Sequence, residues 1–273
     1  MAEIITWNNY PKYIKNKKIN IDINIQLDQL KSNDKYRWND FFNDKNIVEL
    51  VEKINKKLNE IILKNPKVMI FPLPDDLFNA FKYTKFSRIK VVILGQDPYF
   101  NKINEEGKID NSTKLYLPQA TGLAFSVPEI STIPPSLENI FKNMVKYGNL
   151  KGKPKCGNLK SWAENGCFML NTSLSVEYKK PNSHCEIWNE FTDTLIKYIS
   201  DNRKHLVFML WGAHAIKKKY LINESRHKII CSSHPSGNSY FRAIGKYKSF
   251  SETDHFTECN NYLKKYDKSP IVW

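Results

Sequence analysis

The sequence predicts an α/β fold: a three-layer α/β/α arrangement around a central four-stranded parallel sheet, with an N-terminal extension carrying an extra strand. Three observations carry that prediction. Four apolar runs of strand length punctuate the chain, at Val91–Leu94, Cys167–Asn171, Leu206–Gly212 and Lys228–Ser236. In the first, Val91–Leu94, the apolar residues are continuous rather than alternating, as a strand buried on both faces requires. Helical patterns fill the gaps, and strand–helix alternation of this kind produces a parallel sheet sandwiched by helices.

Each element has its own signal. Residues 1–34 form a Lys- and Asn-rich extension in which Ile19, Ile21, Ile23, Ile25 and Leu27 recur at strict period two, a half-buried strand over 19–27. The main domain runs from 35 to 273. From Asp44, placed as a helix N-cap, Ile47, Val48, Leu50, Val51, Ile54, Leu58, Ile61 and Ile62 recur at helical spacing. F-P-L-P-D-D (Phe71–Asp76) breaks that helix before the opening strand. Asn101–Gln119 is polar and aperiodic and reads as a long surface loop, an insertion over 101–119. After a proline turn, Ser136 opens a helix with Leu137, Ile140, Phe141, Met144 and Val145 inward. A further helical pattern spans Trp188 to Ile199.

Composition narrows the function. In 273 residues, 42 Lys+Arg face 28 Asp+Glu, a formal charge of +14. A polyanionic partner is the leading explanation of such an excess, because neutralising phosphates releases counterions and steers association; the alternative is a basic composition kept for solubility or Lys enrichment from AT-rich coding. Five cysteines, an odd number with no C-x-x-C, argue against a disulfide framework, a zinc ribbon or an iron–sulfur cluster. They favour a reducing compartment. The amino terminus shows no signal peptide, and no apolar segment approaches the ~18 residues of a membrane span. The expected location is intracellular, in nucleus or cytoplasm, and not secreted.

The polar residues that close the four runs carry the chemistry. Gln96-Asp97 follow the first, Asn171 closes the second, Trp211-Gly212 the third, and His234-Pro235-Ser236 the fourth. In a parallel sheet these ends share one edge, where open α/β sheets bind their ligands. A carboxylate, an amide and an imidazole would converge there with aromatics, a set able to read and cut a heterocyclic base.

In order along the chain, G-Q-D-P-Y, G-L-A-F-S-V, P-P-S-L-E-N-I, F-M-L-N-T-S-L-S-V, N-S-H, L-W-G and H-P-S resemble the family 1 uracil-DNA glycosylases, from about Trp38 to Ile271–Trp273. The resemblance implies a metal-independent glycosylase without cofactor, acting on uracil in single- or double-stranded DNA as a monomer, with replication or repair proteins as further partners. It implies that Asp97 orients the attacking water and stabilises the positive sugar. His234 would donate to the uracil oxygen that gains charge. Asn171 would read the polar edge of the base with its donor and acceptor, Phe125 would stack on it, and Tyr99 would stand against its 5-position. Gln96 would line the pocket. Pro134, Pro135, Ser136 and Ser236 would grip phosphates. A rival reading keeps the fold for DNA binding alone, as a replication accessory.

Departures from the family pattern fall around the cleft. Phe100 stands where a histidine is usual, and Ala213 replaces a serine after L-W-G. After H-P-S the usual Pro-Leu is Gly237-Asn238, followed by Ser239, Tyr240, Phe241 and Arg242. Asn238 is a poor apolar wedge, so Tyr240 is the expected side chain to fill the gap left by a flipped base, with Asn238 the alternative. Fewer contacts to hold a duplex open imply a preference for single strands.

Overall fold

The computed structural model describes residues 38–110 and 117–273. The extension 1–34, with its expected strand over 19–27, and residues 111–116 of the insertion lie outside the described residues. Within them the strands are β1 (Ile70–Phe71), β2 (Val91–Gly95), β3 (Lys102–Ile103), β4 (Leu117–Pro118), β5 (Cys167–Asn171), β6 (Val176–Glu177), β7 (Val207–Trp211) and β8 (Lys228–Ser232).

The four long apolar runs make one parallel sheet in the order β5-β2-β7-β8. Every residue of β2, β5 and β7 is buried, which is why none of them shows the period of a half-exposed strand. Five main helices are α1 (Lys45–Lys64), α2 (Pro135–Lys146), α3 (Cys185–Asn202), α4 (Gly212–Lys217) and α5 (His255–Lys265). On one face α1 packs on α3, and an aromatic cluster ties this layer to the sheet: Phe41 lies 5.8 Å from Phe191 of α3, and Trp38 lies 5.2 Å from Phe168 of β5. On the other face Trp211 of β7 sits 6.2 Å from Phe256 of α5, and Phe141 of α2 sits 6.3 Å from Trp162. The three expected layers are present.

The Asp44 cap is present too: its carboxylate accepts from the amides of Asn46 (2.8 Å) and Ile47 (3.3 Å). Three other expectations need correction. Helix α2 opens at Pro135 with Pro134 as its N-cap, not at Ser136; the first helical position suits proline because its N–H would have no partner there. Val145 is 38% exposed. At 100° per residue it lies roughly 90° round from the centre of the stripe formed by Leu137, Ile140, Phe141 and Met144.

The insertion is not a plain surface loop. Strands β3 and β4 pair antiparallel, Lys102 opposite Pro118 and Ile103 opposite Leu117, and Lys102, Ile103 and Gln119 are all buried. Its tip is docked: Gly107, at φ +75°, accepts from the Thr132 amide (2.9 Å), and a Cβ there would meet the Ile130 carbonyl oxygen at 1.5 Å. The insertion therefore braces the turn that leads into α2. Beside it β1 pairs with β6, and Phe71, Leu73, Ala120 and Val176 form a second small core on which Phe100 packs.

Candidate active site

Register builds the site. Gly95 lies opposite Asn171 and Trp211 opposite Ser232, so four carboxyl ends form one edge. A cavity of about 250 Å³ opens there, lined by Gln96, Asp97, Tyr99, Phe125, Asn171 and His234, with Ser136 from the first turn of α2. Seven residues expected from the sequence thus share one cavity.

Asp97 follows Gln96 at the end of β2. Its Oδ2 accepts the Asn182 amide N–H at 2.7 Å, and its Oδ1 lies 3.5 Å from the Cys185 thiol. Asn182 is in the left-handed region, φ 65°, which asparagine tolerates better than most residues, and this conformation aims its amide at the carboxylate. Its side-chain Oδ1 also accepts from Gln96 Nε2. The β2 end is tied to β5 by the Gln96 carbonyl, which accepts from Ser173 N–H (3.0 Å) and Thr172 Oγ1 (3.2 Å).

His234 lies across the cleft. The Ser236 amide donates to its Nδ1 at 3.1 Å, and Ser236 Oγ lies 2.7 Å from the same nitrogen. An Nδ1 that accepts leaves the proton on Nε2, so the neutral ring is a donor at that atom. Burial holds its pKa down to about 4, because charging a desolvated imidazole is unfavourable. Gly212, at φ +86°, passes close behind; a Cβ there would come within 2.9 Å of His234 Cβ.

The pocket walls are closely packed. Asn171 is 5% exposed, and its amide occupies space a side chain at 95 would take: a Cβ on Gly95 would meet Asn171 Oδ1 at 2.2 Å. Phe125 is held at φ 64°, its ring 5.4 Å from Trp211 and 6.1 Å from His234. Tyr99 OH reaches the Phe125 carbonyl at 3.5 Å, and burial pushes its phenol up from the usual value. Phe100 lines the cavity on one side and the second core on the other, so an apolar side chain here is satisfied by packing.

At the mouth, Pro134 is buried, Pro135 exposed and Ser136 half-buried, and the Pro134 N-cap position makes no side-chain cap for α2. Ser236 is half-buried, and Asn238 and Arg242 are exposed. The expected wedge is not there to insert: Tyr240 is 6% exposed and belongs to the main core, its ring 5.8 Å from Phe250. A one-turn helix over Gly237–Phe241 turns it inward.

Sequence reasoning missed several contributors. Asn182 opens N-S-H and Cys185 follows it, but no periodicity shows that an asparagine will turn left-handed toward Asp97. His184 of that motif is fully buried, bonded to Ser175 Oγ at 2.8 Å. His214 Nε2 lies 2.7 Å from Thr172 Oγ1, supporting the hydroxyl that ties β5 to Gln96. Among the described residues no cluster of His, Cys, Asp or Glu is arranged to hold a metal ion, and no helix is long and apolar enough to cross a membrane.

Comparison with known proteins agrees with this geometry. The uracil DNA glycosylase superfamily model matches residues 81–264. A uracil-DNA glycosylase of Francisella tularensis subsp. holarctica is 46% identical over 206 residues, 75% of this chain and 84% of that protein. Mimivirus uracil-DNA glycosylase is 33% identical in structural superposition, covering 100% of this chain and 95% of its own, with a TM-score of 0.78. A mimivirus UNG variant in complex with UGI is 35% identical, covers 92% of each chain and has a TM-score of 0.81. With sequence, fold and cleft in agreement, this chain belongs to the uracil-DNA glycosylase superfamily and is a DNA glycosylase that hydrolyses the bond between uracil and deoxyribose, the opening step of base excision repair.

Proposed function

We propose that the reaction runs on Asp97 and His234 as the catalytic pair, with Gln96, Tyr99, Phe125 and Asn171 holding the base. The carrying observation is that all six line one cavity. Uracil leaves the helix, enters between Phe125 and Tyr99, and presents its polar edge to the Asn171 amide. The Tyr99 ring occupies the place of a 5-methyl group, which excludes thymine. As the glycosidic bond lengthens, the sugar becomes positive and the base negative. Asp97, fixed by Asn182, stabilises the sugar and orients the water that attacks it. His234 donates from Nε2 to the uracil oxygen gaining charge, and as a neutral ring it delivers a fixed dipole without giving up its proton.

Pro134, Pro135, Ser136, Ser236, Asn238 and Arg242 form the rim that meets DNA. Pro134 and Pro135 shape the turn, Ser136 offers its hydroxyl to phosphate, and Ser236, whose hydroxyl donates to His234 Nδ1, stands on the same rim. Residues 35–273 act as the catalytic domain, and the substrate is uracil-containing DNA, single- or double-stranded, met by a monomer inside the cell. Single-turnover release of base from matched oligonucleotides carrying uracil or thymine, with Asp97→Asn alongside, tests the assignment. Release of uracil alone, reduced at least about a hundredfold in the variant, is the expected result. Tight binding with no release would mean a DNA-binding accessory on the same fold.

A further inference from the structure

The segment after β8 is fastened at several points. Ser233 Oγ donates to the Ser239 carbonyl at 2.6 Å and accepts the Phe250 amide at 2.9 Å. From α2, Asn139 Nδ2 donates to the Pro235 carbonyl at 2.7 Å. Tyr240 is sunk in the core. Between these anchors Gly237–Phe241 forms a short 3₁₀ helix, so the backbone following His234 is tied down on both sides.

That turn fixes which side chains share a face. With three residues per turn, positions i and i+3 eclipse. Asn238 and Phe241 therefore stand one above the other on the outer side, about 6 Å apart along the axis at ~2 Å per residue, while Tyr240 points inward. Phe241 is 74% exposed. Its ring is supported edge-on by Tyr240, 4.7 Å away at 88°, and Arg242 beside it is exposed. A large apolar ring left in water, braced from below by a buried aromatic and flanked by a cation, sits on the same loop as the histidine that lines the base pocket.

We propose that Phe241, and neither Asn238 nor Tyr240, is the side chain that enters the base stack when uracil leaves it. The inference rests on the glycosylase reading of the cavity and concerns how a duplex is held open. Extrusion of a base leaves a gap one stacking step high, and an aromatic ring fills it with favourable contact to the bases on either side. Asn238 has no such face to offer. The wedge in this chain has moved one 3₁₀ turn along the loop.

The test compares single-turnover uracil release from matched duplex and single-stranded oligonucleotides by the full chain and by Phe241→Ala, Phe241→Leu and Asn238→Ala. Fluorescence of 2-aminopurine beside the uracil follows unstacking in the absence of cleavage, using Asp97→Asn as background. The expected result is that Phe241→Ala lowers duplex release about tenfold or more while single-strand release stays within about twofold. Phe241→Leu should restore most of the duplex rate, and the 2-aminopurine rise should be lost in Phe241→Ala and kept in Phe241→Leu. An unchanged duplex-to-single-strand ratio, or a loss carried by Asn238→Ala instead, would overturn the proposal. If the unsubstituted chain released uracil from neither substrate, the glycosylase reading would fail; a 2-aminopurine rise insensitive to Phe241→Ala would count against the wedge independently.

Discussion

Gly95→Ala would bring a methyl carbon to 2.2 Å from Asn171 Oδ1 and 3.0 Å from Ala124 Cβ. Something must shift, and the amide is the freer of the two neighbours. The expected outcome is a fall of at least about tenfold in kcat/KM for uracil, since in the proposed site a displaced amide forfeits paired hydrogen bonds to the base, with a Tm within a few degrees of the parent. In the proposed site the Tyr99 ring stands where a 5-methyl would go, so thymine release should be undetectable in the parent and become measurable in Tyr99→Ala in the same assay. These two residues were legible to different degrees. Tyr99 was visible in G-Q-D-P-Y because an aromatic in a strand-end turn is conspicuous. The reason for the glycine beside it was not, because it lies in an approach from another strand more than seventy positions away.

At the scale of elements, helix α1 offers a clean check. Its cap was readable because an aspartate stands immediately before a helical stripe, and the carboxylate does accept two first-turn amides. Asp44→Ala should lower stability by about 1 kcal/mol, a Tm drop of about 2–4 °C for a chain of this size, with kcat unchanged because α1 packs on α3 and contributes nothing to the cavity. The four central strands were equally readable, since runs of three to five consecutive apolar residues at strand length leave little else to be. The β3–β4 hairpin was not: two residues are too few to show a period, and Lys102, buried in β3, has a composition that signals surface. The Tyr240 expectation failed for a related reason. In a 3₁₀ turn neighbouring positions point in different directions, so an error of one residue exchanges core for solvent.

For the molecule as a whole, acid is the informative variable. His184 and His234 are held at about 4 and His255 at about 3, all chiefly by burial. Each folded-state value lies below that of the unfolded chain, about 6.5. The unfolded state therefore binds the protons that the folded state refuses, so stability is full above pH 6.5 and falls as pH drops through that value toward 4. Calorimetric Tm should decline between pH 6.5 and 5, where most carboxylates are still ionised; a flat Tm there would contradict the burial argument. Catalysis should behave differently, because the neutral His234 persists until pH approaches about 4. The excess of 42 Lys+Arg over 28 Asp+Glu makes a further demand: DNA affinity should fall linearly in log–log with salt, the slope counting the phosphates engaged.

The pocket is assembled from the ends of four strands, with β2 at the centre and its partners encoded later. During synthesis Asp97 emerges more than a hundred residues ahead of His234, on the order of ten seconds earlier at ribosomal speeds. A nascent chain thus carries its carboxylate long before it has an imidazole to oppose it, and β8 must dock on β7 before the cavity has a second wall. With His234 in the role proposed above, competence to release uracil is conferred by the last strand to arrive, and a polypeptide halted before β8 should make no abasic sites.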